Sequence, residues 1–120
     1  MADDRLSPSE ARFAELLWRH QPLGSGELVR LCARELGWKK STTYTVLKKL
    51  CEKGLFQNRQ AVVSACISRE AFEARQSRRF VEDTFGGSLP RFLAAFIGKG
   101  RLSARQVEEL RRLIDEHGEE

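Results

Sequence analysis

The residues of this 120-residue chain that are best suited to chemistry lie in one basic segment, residues 39–54. The segment combines lysines with short hydroxyl side chains. Over residues 39–59, which also include Arg59, six basic residues stand against one acid, Glu52. Lysine and hydroxyl side chains on one helix face can reach phosphate oxygens and base edges. This composition therefore indicates localised binding of a polyanion.

The same segment has the pattern of one helix of about three turns, with Gly54 where a left-handed C-terminal residue is expected. At about 100° per residue, the inward face consists of Thr43, Val46, Leu47, Leu50 and Gly54. The outward face consists of Thr42, Thr45 and Lys49, flanked by Ser41, Lys48 and Glu52. An ordinary solvated helix is the alternative interpretation. The hydroxyl-and-lysine face favours the recognition helix of a helix-turn-helix, which lies in the major groove.

Capping and turn signals predict the elements around this helix. A first helix begins at Ser7, which can cap it together with Glu10, and ends before Pro22. Ser25 is expected to cap a second helix, which Gly37 ends. Residues 55–59 and 61–67 are β-compatible and follow the recognition helix, so they predict a two-stranded wing with Arg59 and Gln60 near its tip.

The wing and the central helix together define the candidate DNA-binding residues. Lys39 and Lys40 stand just before a helix N-terminus, where phosphate groups also bind. The candidate residues are Lys39, Lys40, Ser41, Thr42, Thr45, Lys48, Lys49 and Arg59.

Three amphipathic helices are predicted after the wing, beginning near Ser68, Ser88 and Ser103. Helices of this size cannot bury their apolar faces well against one another, and a two-fold symmetric homodimer is the commonest solution. A dimer also suits a helix-turn-helix that binds a palindromic operator in double-stranded DNA. The candidate dimerisation residues are Phe80, Phe85, Leu93, Phe96, Val107, Leu110 and Ile114.

The predicted fold class is mostly α with a small two-stranded wing. An N-terminal winged helix-turn-helix domain is expected over residues 1–67, followed by C-terminal dimerisation helices over residues 68–120. Residues 1–4 are acidic and precede no apolar run, so no signal peptide is expected. The longest apolar run is too short to cross a membrane. Three widely spaced cysteines indicate a reducing compartment. We expect a soluble, cytoplasmic protein without membrane insertion.

Residues 37–50, Gly-Trp-Lys-Lys-Ser-Thr-Thr-Tyr-Thr-Val-Leu-Lys-Lys-Leu, followed by Lys53-Gly54-Leu55, resemble the recognition segment of the penicillinase repressor family (BlaI/MecI type). The resemblance extends from Leu6 to about His117. It implies a small bacterial transcriptional repressor with a winged helix and C-terminal dimerisation helices. It also places Ser41, Thr42, Thr45 and Lys49 where members of this family contact DNA, in agreement with the helical wheel.

The resemblance also has consequences for induction. In well-known members, a membrane sensor protease system leads to cleavage of an Asn-Phe bond in the short tail helix. The matching bond in this chain is Ala95–Phe96, the candidate cleavage site for a repressor released by a signal. Many members have a Gly-Arg pair and a tyrosine in the wing, where this chain has Arg59-Gln60 and Val63. The copper-responsive branch ends in a cysteine-rich tail, whereas this chain has no cysteine after Cys66.

Other function classes have weaker support in the sequence. No glycine-rich phosphate loop and no nucleophile with a nearby base are present, so we predict no enzyme activity and no cofactor. His20 and His117 are isolated from the cysteines, so no metal site is expected. The cysteines are interpreted as small core residues. The alternatives that stay open are a thiol- or metal-responsive sensor on the same fold and a winged helix used only for protein contact.

Overall fold

The computed structural model describes residues 5–119. Residues 1–4, for which no signal peptide was expected, lie outside this range. Glu120, the last residue of the predicted dimerisation region, also lies outside it. The chain divides into two compact units, residues 1–77 (unit 1) and residues 78–120 (unit 2). None of the described helices is both long enough and apolar enough to cross a bilayer.

The chain folds into six helices and three short strands within the described residues, and this mostly helical architecture confirms the predicted fold class. In chain order the elements are α1 (Pro8–His20), β1 (Leu23–Gly24), α2 (Ser25–Leu36), α3 (Lys40–Glu52), β2 (Phe56–Arg59), β3 (Val62–Ala65), α4 (Arg69–Phe85), α5 (Leu89–Ile97) and α6 (Ala104–His117).

The small sheet has three antiparallel strands in the order β1-β3-β2. β2 and β3 form the predicted wing, with Arg59 paired to Val62 beside the turn. β1 was not predicted; it pairs Leu23 with Val63 and Gly24 with Val62. A two-residue strand has no periodicity that a sequence pattern can reveal, and it forms here only because β3 offers it a free edge.

The first two helices begin in different ways. Ser7 and Glu10 form the predicted capping box at α1, with the Ser7 hydroxyl accepting from the Glu10 N–H at 3.2 Å. The predicted cap of α2 is wrong, because Gly24 occupies the N-cap position without a side-chain bond. Ser25 is already helical, and its N–H donates instead to the Ala61 carbonyl at 2.8 Å. The chain thus passes directly from strand to helix.

The core of unit 1 is apolar apart from the hydroxyl of Thr43. Its fully buried side chains include Phe13, Leu17, Leu28, Cys32, Leu50, Leu55, Phe56 and Val63. Two tryptophans close the edges of this core. Trp38, in the turn before α3, stacks on Phe13 with ring centroids 5.4 Å apart. The Trp18 indole N–H donates to the Ile67 carbonyl at 2.9 Å.

α4 begins as part of unit 1. Phe72 is buried, and its ring centroid lies 5.5 Å from that of Trp18. Arg69 forms an ion pair with Glu15 of α1. These contacts attach the first turns of α4 to the core, and the division between the two compact units falls inside α4, after Ser77. The expected boundary after Ile67, between a DNA-binding domain and dimerisation helices, stays a prediction.

The C-terminus of α3 closes in the predicted left-handed glycine. Gly54 has φ +79°, its N–H donates to the Cys51 carbonyl at 3.0 Å, and the Leu55 N–H donates to the Leu50 carbonyl at 3.1 Å. These two bonds are those of a Schellman motif, and Leu50 and Leu55 are both fully buried beside it. This turn therefore directs the chain from the end of α3 into the first strand of the wing.

We predict that Gly54→Ala lowers the free energy of unfolding by about 1–2 kcal/mol, because a Cβ is unfavourable at positive φ. Gly26→Ala is the matched control. Gly26 lies in the first turn of α2, where an added Cβ would meet only the Arg30 side chain, 3.8 Å away. This control should be neutral or stabilise by up to about 1 kcal/mol. Urea unfolding followed by circular dichroism measures both changes, and equal effects would contradict the prediction.

Candidate nucleic-acid interface

The rotation of α3 about its axis is fixed by its buried face. Thr43, Leu47 and Leu50 are buried, and Thr43 has no exposed surface at all. The Thr43 hydroxyl donates to the Lys39 carbonyl at 3.1 Å, so its polar atom is satisfied inside the core. Val46, predicted on the same face, is half-buried at its edge. This burial leaves the opposite side of the helix to solvent.

The solvent side of α3 carries the predicted hydroxyl and lysine residues. All seven candidates before the wing are exposed, namely Lys39, Lys40, Ser41, Thr42, Thr45, Lys48 and Lys49. Within residues 5–119, Lys39, Lys40 and Lys48 form no ion pair. The exposure that the helical wheel predicted is thus confirmed, and contact of these residues with DNA stays a prediction.

The N-terminus of α3 is suited to bind an anion. Lys39 occupies the N-cap position in an extended conformation, makes no side-chain cap, and is followed by a first turn without an acid. The first N–H groups of a helix have no acceptor within the helix, and its dipole places partial positive charge there. With Lys40 beside them, these donors can bind a phosphate group.

The hydroxyl groups on the exposed face are not equivalent. Thr45 donates to the Ser41 carbonyl at 2.9 Å, so its proton is already used within the helix. Its γ-methyl group and its acceptor lone pairs remain available, which favours an apolar contact with a thymine methyl or a bond accepted from a base amino group. The hydroxyls of Ser41 and Thr42 have no hydrogen-bond partner in the described part of the chain and keep their donors.

Two other residues of the basic segment have structural contacts. Tyr44 is half-buried and packs against the core. Lys53 donates to the Arg5 carbonyl at 2.8 Å and lies 4.0 Å from the Glu10 carboxylate. The Ser7 N–H, which donates to that carboxylate, is the main cause of its lowered pKa, to which Lys53 and Lys49 also contribute. Lys53 therefore belongs to a clamp between α3 and the start of α1.

The wing places Arg59 beside its two-residue turn. Arg59 is exposed at the end of β2, and Gln60 and Ala61 form the turn with φ +53° and +61°. Positive φ at both positions is the geometry of a type I′ hairpin, which strongly favours Asn-Gly. For two residues with a Cβ this conformation costs about 1–2 kcal/mol each. The predicted tip position of Arg59 is confirmed, while its contact with DNA stays a prediction.

Unit 2 has an extended apolar surface. α5 and α6 contain no buried residue, and the rings of Phe80, Phe85, Phe92 and Phe96 form one cluster with neighbouring centroids 5.6–6.1 Å apart. Phe80 is half-exposed, Phe96 is 70% exposed and Ile114 is 60% exposed. The other candidate dimerisation residues, Phe85, Leu93, Val107 and Leu110, are partly buried. A groove of about 360 Å³ lies between α5 and α6, with Phe92, Phe96 and Leu110 in its lining.

The Ala95–Phe96 bond, the candidate cleavage site, lies in the last turn of α5. Both residues are exposed. α5 has nine residues, and Gly98 with φ +57° follows it directly.

Sequences related to this chain are found among known repressors. The sequence model of the penicillinase repressor family matches residues 6–116. The chain is 22% identical over 117 residues to the penicillinase repressor of Bacillus licheniformis, covering 94% of this chain and 91% of that protein. It is 19% identical over 114 residues to the methicillin resistance regulatory protein MecI of Staphylococcus aureus, covering 92% of this chain and 93% of that protein. For MecI of Mammaliicoccus sciuri the identity is 18% with the same coverage.

The three cysteines occupy three different environments. Cys32 is buried and Cys51 half-buried, and burial is the main reason that the pKa of each thiol is raised. Cys66 is exposed, so its interpretation as a core residue is wrong: it follows the end of β3, where the chain leaves the sheet. Among residues 5–119 no three His, Cys, Asp or Glu side chains are placed to hold a metal ion.

We predict that a thiol reagent modifies Cys66 first, Cys51 more slowly and Cys32 only when the domain opens. Modification of Cys32 should be about 100-fold slower or more, because a raised pKa and burial both deplete reactive thiolate. Iodoacetamide labelling at neutral pH, followed by peptide mass spectrometry, measures the three rates. In urea the rates should converge. Native labelling of Cys32 as fast as that of Cys66 would contradict the structure.

Proposed function

The chain belongs to the penicillinase repressor family, and on this premise we propose that it represses transcription as a homodimer bound to a two-fold symmetric operator. Family membership makes it a transcriptional repressor. The single observation that carries the DNA-binding proposal is the exposed hydroxyl-and-lysine face of α3, held outward by the burial of Thr43, Leu47 and Leu50. It acts by occupying DNA in the cytoplasm and not by catalysis.

The proposed DNA contacts divide by role. Lys39, Lys40 and Lys48 bind phosphates, which orient the protein but carry no sequence information. Ser41, Thr42, Thr45 and Lys49 lie towards the groove floor and contribute base discrimination of about 1–3 kcal/mol at a good contact. Arg59 adds a contact from the wing. The raised pKa values of Cys32 and Cys51 give no support to the alternative of a thiol sensor.

The homodimer is proposed to form through unit 2. Large hydrophobic side chains are exposed there, namely Phe80, Leu89, Phe96, Leu113 and Ile114. A contiguous apolar surface of this kind is costly to leave in water and marks an interaction site. A second copy of the chain offers the same surface, and a two-fold axis through it would present two copies of α3 to successive half-sites.

Release is proposed to follow a signal that leads to cleavage of the Ala95–Phe96 bond, with a membrane sensor protease system as the source. Proteases bind extended chains, so a helical bond must first unwind. α5 has nine residues with Gly98 after it, and so short a helix unwinds readily. Cleavage there would separate α6 from the rest of unit 2 and weaken the dimer.

We expect selection from a random-sequence duplex library to recover a two-fold symmetric site, with half-site centres separated by about 10 base pairs or a small multiple. Thr45→Ala and Lys49→Ala should change which operator bases affect the binding affinity. Lys40→Ala should instead weaken binding to all DNA sequences alike and reduce the slope of log K against log salt concentration by about one. Mobility-shift assays on single-base operator variants measure these effects.

Leu47→Ala is the control for this series, because its side chain is buried and the domain should lose about 2–5 kcal/mol of stability. Recovery of one asymmetric site would count against the dimeric operator. An unchanged base preference in both Thr45→Ala and Lys49→Ala would show that another face of α3 contacts the bases.

A charge on the apolar surface of unit 2 should dissociate the dimer without unfolding the chain. Ile114→Asp should raise the dimer dissociation constant about 100-fold or more, since it buries an unpaired carboxylate. Arg112→Asp is the matched control on the opposite side of α6, where the arginine is exposed. Sedimentation equilibrium distinguishes the two. A monomeric wild-type chain at micromolar concentration would refute the proposed assembly.

A further inference from the structure

The linker between α1 and α2 follows the outer edge of β3 along its whole length. At one end the Gln21 side-chain oxygen accepts from the Ala65 N–H at 3.0 Å. In the middle β1 pairs with Val62 and Val63. At the other end the Ser25 N–H donates to the carbonyl of Ala61, which is part of the wing turn itself. The position of the turn is therefore tied to the first residue of α2.

The wing turn needs a stabilising contact of this kind. Gln60 and Ala61 both have positive φ, and neither is one of the residues that adopts this conformation easily. Strained backbone of this kind persists only where surrounding contacts determine it. Among residues 5–119, the Ser25 bond, at 2.8 Å, is the hydrogen bond from outside the wing that reaches a residue of the turn itself, since β1 and Gln21 bond to β3.

We infer that the hydrogen bond from the Ser25 N–H to the Ala61 carbonyl is a positioning contact that makes Arg59 a DNA-binding residue. Arg59 flanks the turn in the pair Arg59–Val62, so the bond that holds Ala61 also fixes where the Arg59 side chain starts. A wing that is already ordered loses less conformational entropy on binding than a mobile one. This inference rests on the proposed DNA binding and makes Ser25 a positioning residue, without contact to DNA.

Ser25 allows the bond to be removed while α2 is retained. Ser25→Pro removes the N–H together with the hydroxyl, and its ring occupies the position of the bond to the Ala61 carbonyl. The helix tolerates the change because proline is favoured at the first position of a helix. The preceding residue, Gly24, has φ −66° and ψ 149°, the extended conformation that a following proline requires. Ser25→Ala is the matched control, since it removes the hydroxyl and retains the N–H. Far-ultraviolet circular dichroism should be the same for all three full-length chains.

The test combines each Ser25 variant with Arg59→Ala and measures affinity for the selected operator at about 0.15 M salt. In the wild-type and Ser25→Ala backgrounds, loss of one phosphate contact should cost about fivefold in affinity. In the Ser25→Pro background Arg59→Ala should cost almost nothing. Amide hydrogen exchange at Ala61 and Val62 should accelerate in Ser25→Pro alone. Replacing Gln60-Ala61 by Asn-Gly, which favours the turn by itself, should restore slow exchange and the fivefold effect.

A fivefold cost of Arg59→Ala that persists in Ser25→Pro would overturn the inference, as would unchanged amide exchange. No cost of Arg59→Ala in the wild type would also overturn it, by removing the wing from the interface. Failure of the proposed function has a different signature: the wild-type chain would then select no symmetric operator, whereas the amide-exchange difference between the Ser25 variants would still be observed.

Discussion

Thr43, Leu47 and Leu50 hold α3 against the core of unit 1, and the orientation of the candidate DNA-binding side chains depends on that burial. A single polar group lies in this contact, the Thr43 hydroxyl, and its bond to the Lys39 carbonyl removes the cost of burying it. The same bond lies in the first turn of α3. The core thus fixes the rotation of the helix at the end where its free N–H groups and two lysines are exposed.

The wing depends on the same core through two connections. The Schellman motif at Gly54 directs the chain from α3 into β2, and residues 21–25 cover the outer edge of β3. The wing tip is consequently related to α2 and α3 by backbone hydrogen bonds and not by side-chain packing alone. Backbone bonds of this kind can hold a strained turn whose own sequence, Gln60-Ala61, does not favour it.

The two units bury their apolar residues in different ways. Unit 1 encloses a continuous core that includes Phe13, Phe56 and Phe72, whereas α5 and α6 of unit 2 contain no buried residue. Unit 1 therefore needs no partner to satisfy its apolar side chains. Unit 2 leaves Phe96 and Ile114 mostly in solvent, and this difference is the physical basis for proposing DNA binding by unit 1 and assembly through unit 2.

The sequence by itself determined the features that depend on neighbouring residues. Helical periodicity identified the buried and exposed faces of α3, the Ser7 capping box and Ser103 identified two helix starts, and Gly54 identified a helix end. These features are predictable because the interacting groups are three to five residues apart, so a short pattern contains both partners.

Only the tertiary structure decided the features that join distant parts of the chain. Four such features join residues far apart in sequence. They are the pairing of β1 with β3, the bond from Ser25 to Ala61, the clamp from Lys53 to Arg5 and the attachment of α4 by Phe72. The exposure of Cys66 was also decided by the tertiary structure, because it depends on where the chain leaves the sheet after β3. A local pattern contains one partner of each such contact, and the other is fixed when the chain closes around its core.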